Sequence, residues 1–141
     1  MTYIIILKML ENRYIIFDGD CGFCNKSIMI LAKIDANNKY LFVSNLSEKG
    51  KNLIHKLKLK NETNDTIILI IGDEYFLKSK AIFNFITDAK NSKILKYIFS
   101  IFPVYFCDKI YDFIAKNRKK IKTKLICKLP NKNISQKIIN Q

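Results

Sequence analysis

A chain of 141 residues and 16.5 kDa, 49% hydrophobic and 12% aromatic with a mean hydropathy of 0.00, has room for one hydrophobic core and excludes both a disordered chain and an integral membrane protein. Its formal charge of +13 is almost wholly lysine, with Arg13 and Arg118 its arginines. In an Ile- and Asn-rich background this reads as a solvated lysine coat more than a nucleic-acid footprint, while contact with an anionic membrane surface stays open.

The opening MTYIIILKMLENR has no basic n-region, no long apolar core and no small-residue cleavage site, so no secretory signal is expected and the cytoplasm is the expected compartment. In that reducing setting the four cysteines point to catalytic, redox or metal chemistry in place of structural disulfides. Tyr14 to Asp18 (YIIFD) reads as a strand ended by glycines and aspartates. From Cys24 to Ile34, residues Ile28, Leu31, Ala32 and Asp35 follow a helical rhythm that Asn37 and Asn38 stop. Tyr40 to Val43 is a second strand, and Leu46 to Leu59 a lysine-rich helix carrying Leu53, Ile54 and Leu57.

Ile67 to Ile71 (IILII) is apolar on both faces, as in a strand buried mid-sheet. Gly72, Asp73 and Glu74 turn it into a return strand, Tyr75 to Leu77, making a hairpin. Ser79 is the expected N-cap of a helix through Ala81, Ile82, Phe85 and Ile86. Helices through Ile94 to Phe102 and from about Val104 to Arg118 flank Pro103, and the apolar run Ile94 to Cys107, broken by Lys96 and Pro103, is too short to span a bilayer. Residues 1–130 read as a single domain and 131–141 as a loosely held basic, polar tail. The order is that of an α/β, thioredoxin-like fold: a central mixed four-stranded sheet flanked by helices, with extra C-terminal helices.

Cys21 falls at the expected helix start and Cys24 one turn inside. Unpaired N–H groups and the helix dipole favour a thiolate at the first position, and the spacing lets the two sulfurs close a disulfide. A nucleophilic outer thiol with a resolving inner one is what thiol–disulfide exchange requires. Nearby carboxylates oppose the thiolate. Asp20 reads as a structural cap; for Asp18 both a capping role and a proton-accepting role beside Cys24 stand. A zinc site would need further ligands from Cys107, Cys127 or His55, which are not paired at comparable spacing. Cys107 reads as a core cysteine, His55 as solvated, Cys127 as a tail thiol open to a redox role, and Asn117 and Arg118 as the end of the last helix.

FDGDCGFCNKS (Phe17 to Ser27) resembles the D-G-x-C-x-x-C opening of the DCC family of predicted thiol–disulfide oxidoreductases, with Asp18, Gly19, Cys21 and Cys24 on the motif positions. The likeness continues through Asp65 and Thr66, through KSKAI with Ser79 and Ala81, through YDFIAKNR with Tyr111, Ala115, Asn117 and Arg118, and to CKLP at Cys127 to Pro130. It implies a thioredoxin-like fold and a dithiol activity requiring no cofactor. The implied partners are a disulfide- or thiol-containing substrate and a separate electron donor or acceptor. Thioredoxins at large carry a cis-proline where this chain has Asp65-Thr66; a non-proline cis bond costs about 3–4 kcal/mol, so a trans peptide is expected there. The rival functions are a metal-binding module using Cys21, Cys24 and a later cysteine, and a basic protein that docks on anionic membrane through Ile94 to Phe106.

Overall fold

The structure is a computed structural model that describes residues 13–19, 22–59, 66–117 and 138–139, with the backbone alone at 22–25 and 138–139. Its elements are β1 (Arg13–Phe17), α1 (Gly22–Ile34), β2 (Leu41–Ser44), α2 (Glu48–Lys56), β3 (Ile68–Ile71), β4 (Glu74–Leu77), α3 (Lys78–Lys90), α4 (Lys93–Ile101), α5 (Val104–Asn117) and the two-residue β5 (Ile138–Ile139). The sheet order is β4-β3-β1-β2-β5. β1 and β2 run parallel, with Ile15 beside Phe42. β3 is antiparallel to both β1 and β4. The four expected strands thus take the thioredoxin-like arrangement, and β5 extends the sheet alongside β2 in parallel.

Alternation along the central strands divides the core in two. Ile15, Phe17, Phe42 and Leu69 face α1 and α3, where Ile28, Leu31, Ala81 and Phe85 complete one buried cluster. Tyr14, Ile16, Val43, Ile68 and Ile70 face the other way, onto Leu53 and Ile54 of α2 and its C-cap residue Leu57. The α1 rhythm read from the sequence is the buried stripe, Asp35 included. The Asp35 carboxylate accepts from the Lys39 and Tyr40 N–H groups at 3.0 and 2.9 Å. This satisfies a buried acid and fixes the turn into β2.

Three expectations change. Ser79 is not the N-cap of α3: β4 runs directly into the helix, Leu77 is the cap residue and offers no side-chain bond. Asp108 of α5 supplies the missing acceptor, taking the Ser79 N–H at 3.3 Å and the Ser79 hydroxyl, and a carboxylate is favoured at a helix N-terminus. The lysine-rich helix starts at Glu48 and not at Leu46, because the Ser47 hydroxyl caps it through Gly50 N–H at 3.0 Å. Cys107 is half-buried, not a core residue, since α5 packs at the rim of the fold and buries none of its residues fully.

Candidate active site

The strand-to-helix junction after β1 is built by close packing against the end of β2. A Cβ on Gly19 would lie 2.1 Å from Ser44 Oγ and 3.2 Å from Ser44 Cβ, so space and not backbone conformation demands glycine there. The Gly19 N–H donates to Asn45 Oδ1 at 3.1 Å, and the Asn45 N–H donates to the Phe17 carbonyl at 2.8 Å. Ser44 is 3% exposed. Its carbonyl accepts from the Ser47 hydroxyl at 2.6 Å and would sit 2.1 Å from a Cβ on Gly50. The β2–α2 turn therefore braces the Asp18–Gly19 step, which ends two residues before the first cysteine. Because these contacts cross from one strand end to another, local sequence pattern carried no sign of Ser44 or Asn45.

α1 opens at Gly22 and carries Cys24 in its first turn, with no acidic residue there. One turn on, Ser27, Ile28, Ile30 and Leu31 form a wall of a largely apolar cleft of about 330 Å³. Phe17 and Asp18 at the end of β1, Thr66 and Ile67 before β3, Ile82 of α3 and Tyr111, Ile114 and Ala115 of α5 line the rest. Tyr111 pins this arrangement, its hydroxyl accepting from the Ile67 N–H at 2.9 Å. A concave, mostly apolar space with a few polar groups is the usual form of a small-molecule or side-chain site.

The structure thus brings together Asp18, Thr66, Tyr111 and Ala115 from distant parts of the chain. Asn117 is placed differently, its amide donating to the Phe113 carbonyl of its own helix at 2.8 Å. Asp20, Cys21, Asp65, Arg118 and Cys127 lie outside the described residues, as do the side chain of Cys24 and the Asp65-Thr66 peptide. His55 is exposed on α2, across the sheet from α1, and Cys107 is on α5. Among the described residues no three His, Cys, Asp or Glu side chains gather as metal ligands.

A β4-β3-β1-β2 sheet with α1 and α3 on one face and α2 on the other defines a thioredoxin-like protein, with C-x-x-C at the β1–α1 junction. The chain belongs to the DCC1-like thiol-disulfide oxidoreductase family, whose model matches residues 15–124. Uncharacterized protein YuxK of Bacillus subtilis is 30% identical over 133 residues, covering 94% of this chain and 97% of that protein. A chloroplastic DCC family protein of Arabidopsis thaliana is 27% identical over 118 residues, 77% of this chain and 63% of that protein. No solved structure matches the chain.

Proposed function

We propose that this protein is a thiol–disulfide oxidoreductase whose Cys21 and Cys24 cycle between dithiol and disulfide in the cytoplasm. The observation that supports the reading is a C-x-x-C spacing that follows β1 in the sequence and puts Cys24 in the first turn of α1, in a family named for this chemistry. As reductant, the Cys21 thiolate attacks a substrate disulfide, a mixed disulfide forms and one substrate sulfur leaves as thiolate. Cys24 then loses its proton and attacks the Cys21 sulfur, and the second substrate thiolate leaves. The substrate has gained two electrons and the protein holds a Cys21–Cys24 disulfide, which a separate dithiol reduces. Run in reverse, the same steps oxidise a substrate.

The α1 N-terminus supports the Cys21 thiolate, and Asp18, half-buried at the cleft, is the group we assign to exchange the proton of Cys24. Gly19 keeps the turn after β1 packed against Ser44, Thr66 lines the neighbouring wall of the cleft, and Asp20 and Asp65 are assigned supporting roles from the sequence. Asn117 ends α5, the next residue in the sequence, Arg118, is assigned a supporting role, and Cys127 is a further thiol available for exchange. A disulfide-reduction assay tests the reading. Cys21→Ser abolishes turnover and Cys24→Ser traps mixed disulfides, while Asp18→Asn shifts the pH profile of the resolving step. Activity untouched by either cysteine substitution, or stoichiometric zinc in the purified protein, would count against it.

A further inference from the structure

α4 and α5 each expose a second apolar side beyond the one that packs on α3. In α4, Leu95 and Phe99 are partly buried, and Phe99 stacks on Phe83 of α3 at 4.5 Å between ring centroids. The i, i+3, i+4, i+7 set Ile94, Tyr97, Ile98 and Ile101 faces solvent instead, with Ile94 73% and Ile101 66% exposed. Phe102 continues this surface into α5, where Tyr105, Phe106, Ile110 and Phe113 are exposed. Scattered single apolar residues on a surface are ordinary, but a run like this marks an interaction site.

Charge identifies the partner. α4 has Lys93 and Lys96 and no acid. The acids of α5 are both engaged by the start of α3, Asp108 by Ser79 and Asp112 by Lys78 at 3.1 Å in a partly exposed ion pair, while Lys109 and Lys116 are exposed. The sequence then continues with Arg118, Lys119, Lys120, Lys122 and Lys124. A second copy, also at +13, would be repelled, so charge favours an anionic partner.

We propose that the α4–α5 face docks the protein on an anionic membrane surface. Among the described residues no helix is long and apolar enough to cross a bilayer, so both lie in the interfacial plane. Tyr97 and Tyr105 present apolar rings with polar tips, which suits the headgroup boundary, and the Lys109 ammonium sits 4.5 Å from the Tyr105 ring centroid.

Flotation of the full chain with vesicles tests this. Vesicles mixing phosphatidylglycerol with phosphatidylcholine bind it at low salt, phosphatidylcholine alone binds it far less, and raised salt releases it. Ile101→Glu weakens binding by at least about tenfold, and joint Lys93→Gln and Lys96→Gln by on the order of tenfold, with circular dichroism and thermal melting unchanged. The Cys21→Ser, Cys24→Ser double variant binds like the parent, which separates docking from the redox reading. The inference is overturned by absence of binding to anionic vesicles, by equal binding to both lipids, or by a dimer that Ile101→Glu dissociates.

Discussion

Gly19→Ala probes the packing that holds the strand-to-helix junction. The new Cβ would meet Ser44 Oγ at 2.1 Å and Ser44 Cβ at 3.2 Å, so the hydroxyl must rotate away or the two strand ends must part. Rotation removes the acceptor of the Leu46 N–H, now bonded to Ser44 Oγ at 3.2 Å, at about 1 kcal/mol. Parting is overpacking, which costs about 1–3 kcal/mol. Urea unfolding is expected to show a loss of about 2–3 kcal/mol in the single variant. Adding Ser44→Ala removes the 2.1 Å contact but leaves the one at 3.2 Å, so it should restore about 1 kcal/mol, read as coupling in a double-mutant cycle. A Gly19→Ala protein as stable as the parent, or a Ser44→Ala that restores nothing, refutes the assignment.

Asp108→Ala strips the acceptor from the N-terminus of α3 and should lower unfolding stability by about 1–2 kcal/mol; an unchanged denaturation midpoint would deny that role. Tyr111→Phe removes the acceptor of the Ile67 N–H and should cost about 1–2 kcal/mol, with faster amide exchange at Ile67 as its local mark. Tyr40 is buried and donates to Asp88 at 2.6 Å, and burial first, then that bond, pushes its phenol well above the ordinary value. The native chain therefore keeps a proton that the unfolded chain releases above about pH 10. This contribution is whole below about pH 10 and falls as pH rises, by up to about 1.4 kcal/mol per pH unit. Tyr40→Phe should flatten that alkaline slope in denaturation measured from neutral to high pH.

What could be read in the sequence was what repeats at short range. The α1 stripe Ile28, Leu31, Ala32, Asp35 is buried as its spacing requires, and the double-sided apolar run at Ile68–Ile70 lies between β1 and β4. Long-range partnerships left no such mark. Ser79 looked like a cap because serine at a helix start usually is one, yet Asp108, 29 residues away, provides the acceptor. Cys107 reads as core because it lies on an apolar helix, although α5 carries more apolar side chains than the fold covers. At the candidate site, Asp18, Thr66, Tyr111 and Ala115 could be singled out by resemblance, but the cleft that joins them depends on how α5 returns to the start of β3.

The central claim is that Cys21 and Cys24 are one redox couple. Thiol trapping with mass spectrometry, across dithiothreitol or glutathione buffers of defined potential, measures it directly. The account predicts a single two-electron transition between dithiol and Cys21–Cys24 disulfide, with the ratio changing tenfold per about 30 mV. A pair that stays reduced throughout, or oxidised Cys21 recovered only in linkage to Cys107 or Cys127, would contradict it.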